Sequence, residues 1–140
     1  LILLMDDHLT GAPDAQGLVR TILERYAGLA IDGIGPARSP DGFFKHWIDP
    51  STGGTKPGWS TELATYSTMK IVLAADRAAA YYPNDPAIQD AAREIICGIS
   101  NWDAYIQSGT DAVHLIASNT GGPQFDPRNF PFTEGVIFVE

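Results

Sequence analysis

A mainly α-helical chain with short extended pieces between the helices is what the sequence predicts, on three observations. Apolar residues recur at helical spacing over residues 14–30, 62–82 and 86–103. Helix-stopping and helix-starting residues, Gly28, Gly33, Gly35 and Pro36 and then Pro83-Asn84-Asp85-Pro86, fall between those stretches. The remaining segments are rich in Gly, Pro and aromatic residues, a composition that suits loops and hairpins.

In the first stretch Leu18, Ile22, Tyr26 and Leu29 form the apolar stripe, Pro13 is acceptable in a first turn, and Gly28 with the following Gly and Pro residues ends the helix. Gly42 to Asp49 is an aromatic-rich run closed by Pro50-Ser51-Thr52-Gly53-Gly54, and reads as an extended segment or hairpin arm. Ser60 or Thr61 is positioned to cap a long helix beginning at Glu62, since a hydroxyl accepts from the free amides of a first turn. That helix carries Leu63, Tyr66, Met69, Ile71, Val72, Leu73 and five alanines before Tyr81, apolar on most sides, so burial between other helices is expected.

Pro83-Asn84 stops it, and Asp85 caps the next helix with Pro86 at its first position. Ile88, Ala92, Ile95, Ile99 and Trp102 make the clearest single stripe in the chain. Gly109 to Gly122 reads as a hairpin-like stretch around Ala112 to Ile116, followed by a Gly/Pro/Asn loop, with a further helix expected near Thr133.

Composition narrows the function classes. Nine Lys and Arg stand against 17 Asp and Glu, a formal net charge of −8. Such a surface repels phosphate backbones and anionic lipid, so nucleic acid and membrane surfaces are poor partners and a neutral or cationic ligand fits better. The apolar runs are far shorter than the roughly 20 residues that span a bilayer. With 44% hydrophobic residues the chain has the material for a core. It starts at Leu1, not Met, and runs out in the uncapped apolar segment Val136-Ile137-Phe138-Val139, so residues 1–140 read as one incomplete domain of a longer protein.

No motif points to a cofactor or metal. Gly53-Gly54-Thr55-Lys56-Pro57 lacks phosphate-loop spacing and puts proline where the magnesium-holding hydroxyl would be. His8, His46 and His114 form no ligand pair, Asp6-Asp7-His8 reads as a solvated terminus, and the single Cys97 reads as a small buried hydrophobe on a helix.

Glu62 and Glu134 each follow hydroxyl residues at an expected helix start, in Ser60-Thr61-Glu62 and Thr133-Glu134. Two readings stand. A carboxylate there interacts favourably with the helix dipole. Alternatively, the aromatic surroundings make a saccharide site: Phe43, Phe44, His46, Trp47 and Trp59 precede Glu62, and Phe125, Phe130 and Phe132 precede Glu134. Sugar C–H faces stack on aromatic rings, carboxylates bind hydroxyls, and glycoside hydrolysis needs a carboxylic acid that protonates the leaving oxygen. Core packing is the competing role for the aromatics.

Gly42-Phe43-Phe44-x-His46-Trp47-Ile48-Asp49, then Thr52-Gly53, then Ser60-x-Glu62-Leu63-Ala64-Thr65 before an alanine-rich stretch, then Tyr81-Tyr82 and Trp102, resembles the glycoamylase-like family of bacterial glycoside hydrolases. That family includes endo-β-1,2-glucanases and the glucan-processing domain of cyclic β-glucan synthases. The resemblance runs from Gly42 to Glu134 and implies the N-terminal portion of an (α/α)6 barrel with short β-hairpins in its loops. It also implies a periplasmic or secreted enzyme acting on an oligo- or polysaccharide, without cofactor. Glu134 would be the general acid, Glu62 a second catalytic or sugar-binding carboxylate, and His46, Asp49, Trp59 and Phe132 substrate-binding residues. A further acidic residue from a later part of the barrel would complete the site, leaving this stretch alone inactive.

Three positions depart from the family pattern. Tyr66-Ser67-Thr68 stands in place of an Ile-Asp-Thr triplet, Phe132-Thr133-Glu134 in place of Tyr-Asn-Glu, and Asn101 in place of an aspartate. The loss of polar neighbours motivates the alternative of a carbohydrate-binding or scaffold module of the same fold without turnover.

Overall fold

Helix α1 spans Ala15–Ala27 because both of its ends are chemically closed. The Asp14 carboxylate accepts from the Gly17 amide, and Gly28, at φ 79°, takes the left-handed conformation that returns its amide to the last carbonyls. The computed structural model describes residues 14–58, 63–105, 116–117 and 123–124. Within them the chain is mainly helical, with α2 over Thr65–Tyr81 and α3 over Pro86–Cys97. Three two-residue strands, β1 (Leu63–Ala64), β2 (Ile116–Ala117) and β3 (Pro123–Gln124), pair antiparallel in that order.

Helix α3 packs against both α1 and α2. The shared core is Val19 and Leu23 from α1, Ala75 and Ala78 from α2, and Ile88, Ala91, Ala92 and Ile95 from α3. Alanines line the α2–α3 seam, and their small side chains let the two helices approach closely. The connection Tyr82 to Asp85 is short, as expected of an αα-hairpin.

The face of α1 differs from the expected stripe by one residue. Ala15, Val19 and Leu23 are buried, whereas Leu18 and Leu29 are 46% and 49% exposed. Two adjacent apolar ridges run along this helix, and the ridge that α3 covers is the one centred on Val19, with Tyr26 packing beside it. Periodicity identifies an apolar side but cannot rank two ridges 100° apart.

The start of α2 also differs. The helix begins at Thr65, not at Glu62, and its N-cap is Ala64, with no side-chain cap; the expected capping residues Ser60 and Thr61 lie outside the described residues. The cause is tertiary: Leu63 and Ala64 pair with Ala117 and Ile116, Leu63 bridges to Lys45, and the Ala64 amide donates to the Phe44 carbonyl at 2.9 Å. These ladder bonds hold the backbone extended where local sequence favours a helical turn. Nor is α2 wrapped on most sides, since Thr65, Thr68, Met69, Ala75 and Ala78 are buried while Ile71, Val72, Leu73 and Ala74 stay partly exposed.

Helix α3 begins as the sequence predicts, with Asp85 accepting from the Ala87 and Ile88 amides and Pro86 in the first turn. It ends earlier, at Cys97. Trp102 falls in a separate 3-10 turn, Trp102–Tyr105, after Asn101 adopts φ 60°. The residues after Cys97 are recruited by the Gly42 loop: the Ser100 amide donates to the Asp41 carbonyl at 2.9 Å, and Ile99 joins Phe43 and Leu63 in a second apolar cluster flanked by Val72 and Trp102. Cys97 is exposed, not the buried hydrophobe expected.

The Gly42–Asp49 arm is a hairpin arm, as expected. Arg38 bridges Phe44, Ile48 bridges Thr55, and the turn between is closed by Asp49 and Gly54. Ile116 and Pro123 belong to the later hairpin, whose pairing lies at 116–117 and 123–124. The helix expected near Thr133 lies outside the described residues.

Asp85 also joins α1 to α3. Beyond its capping bonds it accepts from Arg20 at 2.6 Å and Gln16 at 2.7 Å, with its side chain 3% exposed. The Arg20 and Gln16 hydrogen bonds, helped by the Ile88 amide, hold this carboxyl at about 2, below its ordinary 3.8. Because the folded value is depressed, the stabilisation is complete above pH 4 and is lost as the pH falls towards 2. Asp85→Ala is expected to cost roughly 2 kcal/mol by removing a cap and a charge-assisted bond. Urea denaturation at pH 7 checks the loss, and the gap between wild type and variant should narrow below pH 3.

Candidate functional site

The two phenylalanines of the Gly-Phe-Phe segment are pillars of the scaffold. Phe43 meets Trp102 edge-on at 4.9 Å, and Phe44 meets Tyr26 edge-on at 5.3 Å under the Arg38 guanidinium, 4.4 Å from the ring centroid. Both are fully or almost fully buried. The Phe44 amide donates to the buried Thr68 hydroxyl at 3.1 Å, which ties the arm to α2. Arg38 donates to the Tyr26 carbonyl, and burial pushes its guanidinium down from the ordinary value. The same cause lowers the Lys45 ammonium.

Beyond Lys45 the strand bends. In a straight strand consecutive side chains point to opposite faces. Here His46 and Trp47 are both exposed, and their rings stack at 4.7 Å and 18°. The arm beneath them is fixed on both sides: the Lys56 amide donates to the Trp47 carbonyl at 3.1 Å, and the Asp49 amide to the Gly54 carbonyl at 2.9 Å. The Ala37 amide donates to the Gly53 carbonyl at 2.7 Å. Gly53, at φ 71°, lies so close to the Gly35 backbone that any Cβ would overlap it.

Asp49 serves the turn. Its Oδ1 accepts from the Ser51 hydroxyl at 2.6 Å and the Ser51 amide at 2.8 Å, and these bonds, the hydroxyl first, lower its carboxyl below the ordinary value. Three residues after His46 on the same arm, Asp49 opens the turn that closes the hairpin, with its backbone paired to Gly54.

Of the six expected site residues, the structure describes these two; Glu62, Glu134, Trp59 and Phe132 lie outside the described residues. The segment that follows Glu62 is described, and it is drawn to this corner: Leu63 bridges Lys45, the neighbour of His46, and continues into the β1–β2–β3 sheet. Among the described residues no three His, Cys, Asp or Glu side chains converge to hold a metal.

By sequence Trp47 is only one of the aromatics before Glu62, and Thr68 only part of a triplet that departs from the family pattern; neither is expected as a site residue. An aromatic pair just before a turn is a signal for the first, but the bend that sets the two rings together comes from hydrogen bonding to distant segments. For Thr68, a hydroxyl three residues after Thr65 on a buried face is the only local sign. Compared with protein-family models, curated proteins and solved structures, the chain matches none.

Proposed function

We propose that the chain is part of a glycoside hydrolase acting on glucans, with β-1,2-glucan-like chains as substrate, built as the N-terminal portion of an (α/α)6 barrel. Glu134 is the general acid, and Glu62 is the second catalytic or sugar-binding carboxylate. An acidic residue contributed from elsewhere in the full-length protein completes the site, and the enzyme works outside the cytoplasm. The observation that carries this reading is the meeting, at the Lys45–Leu63 bridge, of an exposed aromatic arm with the segment directly after Glu62. Aromatic faces beside carboxylates are what a neutral polyhydroxylated ring requires. The acidic net charge is compatible with such a ligand. The α2–α3 hairpin supports a paired-helix architecture.

The test is product analysis. Linear β-1,2-, β-1,3- and β-1,4-glucans are incubated with the full-length protein and with residues 1–140 alone, and new reducing ends are measured. The full-length protein should cleave the β-1,2-linked chain and the 140-residue stretch should leave all three intact. A full-length protein inert towards every β-glucan contradicts the proposal.

A further inference from the structure

We propose that the outward face of α2 is a docking surface for this chain's own segment Leu1–Asp7, with Asp6 and Asp7 paired to Lys70 and Arg77 and the Leu1–Met5 run laid against Leu73 and Tyr66. The proposal stands apart from the carbohydrate reading and does not depend on it. Tyr66, Lys70, Leu73, Arg77 and Tyr81 follow one another at intervals of three or four residues, which sets them in one stripe along the helix. Thr68 and Ala75 are buried on the opposite side, so the stripe faces away from the core. Lys70 and Arg77 are exposed, Tyr81 is 58% exposed, and Tyr66 and Leu73 are half-buried.

The charges on this face are uncompensated. Arg20, Arg25 and Arg93 are each paired with an aspartate. Among the described residues Lys70 and Arg77 form no ion pair, although Asp and Glu outnumber Lys and Arg in the chain by 17 to 9. Lys70 instead lies over the Tyr66 ring at 4.1 Å. The one acidic residue of α2, Asp76, is about 100° round the helix from Arg77.

Charge, place and length select the occupant. Asp6-Asp7 brings the sign that the stripe lacks, directly after five apolar residues, a role other than the solvated terminus that its composition alone suggests. The segment also enters at the right end. Gln16 and Arg20, in the first turns of α1, bond to Asp85, whose amide donates to the Tyr82 carbonyl at 3.2 Å, so α1 starts beside the end of α2 where Tyr81 stands. From Tyr66 to Tyr81 the stripe is roughly 22 Å long, and the thirteen residues before Asp14 reach up to roughly 43 Å when extended. The exposed Leu18–Leu29 ridge of α1 is a poorer seat, since its Arg25 is already paired with Asp32. Nucleic acid and anionic lipid also seek cations, but a net charge of −8 repels them.

The test is carbodiimide cross-linking of the full-length protein, which joins an amine only to a carboxylate in contact with it, followed by peptide mass spectrometry. A link from Lys70 to Asp6 or Asp7 within one molecule is expected, and Asp6→Asn with Asp7→Asn should abolish it. Charge reversal gives a second readout. Lys70→Glu with Arg77→Glu should lower the thermal midpoint by about 2 °C, Asp6→Lys with Asp7→Lys by a similar amount, and the four changes together should recover at least half of the combined loss. The wild-type cross-link requires no variant to fold. Lys70 linked only to carboxylates outside residues 1–13, linked only between two molecules, or not linked at all overturns the proposal, as do reversals whose effects simply add. Each of these results leaves the glucanase reading standing.

Discussion

Glu134→Gln is expected to reduce turnover of a β-glucan by the full-length protein by two orders of magnitude or more, with affinity held within about threefold. The glycosidic oxygen is a poor leaving group until it is protonated, so a general acid must deliver a proton as the bond breaks. An amide keeps the size and hydrogen-bonding capacity of the carboxylic acid, and therefore the ground-state contacts, but has no proton to give. Loss in kcat at nearly constant binding is the signature of an interaction made in the transition state. The binding-module alternative expects no turnover in either protein and equal affinity in both. Initial rates of reducing-end release, measured beside calorimetric affinity, separate the two.

Gly42→Ala is expected to destabilise the fold by about 3 kcal/mol or more. Gly42 sits at φ 86°, a conformation in which an L side chain is strained, and a Cβ there would overlap the Gly98 carbonyl oxygen. That carbonyl belongs to the C-cap of α3, and turning it aside would displace Ile99 and Ser100, which are held by the Gly42 loop. The contact is also the junction at which the Asp41 carbonyl receives the Ser100 amide and Phe43 enters its cluster with Leu63 and Ile99. Denaturant unfolding followed by circular dichroism should show the midpoint fall sharply. Gly33→Ala, at a site of similar φ with open space around it, should cost much less.

Helices were legible where the chemistry that ends them is local. Asp85-Pro86 announces the start of α3, Gly28 the end of α1, and Pro83-Asn84 the end of α2, and each acts within a turn of its own position. What sequence spacing could not supply were the outcomes set by distant partners. Leu63 and Ala64 stay extended because Phe44, Lys45 and β2 claim them, and α3 stops at Cys97 because the Gly42 loop recruits Ile99 and Ser100. The choice of the Val19 ridge of α1 over the Leu18 ridge is likewise made by α3.

The candidate site followed the same division. His46 and Asp49 drew notice by type and position, yet the carboxylate of Asp49 is spent on its own turn and the ring of His46 on Trp47. Residue type indicated which groups could do sugar chemistry. Which of them the fold leaves available depends on a bend and a turn that no periodicity encodes.

The most direct test of the central claim is a crystal structure of the full-length protein carrying Glu134→Gln, soaked with a linear β-1,2-gluco-oligosaccharide. The account predicts a scissile linkage lying between positions 62 and 134 in one cleft. Density for the sugar elsewhere, or the two positions at opposite ends of the helical layer, would contradict it.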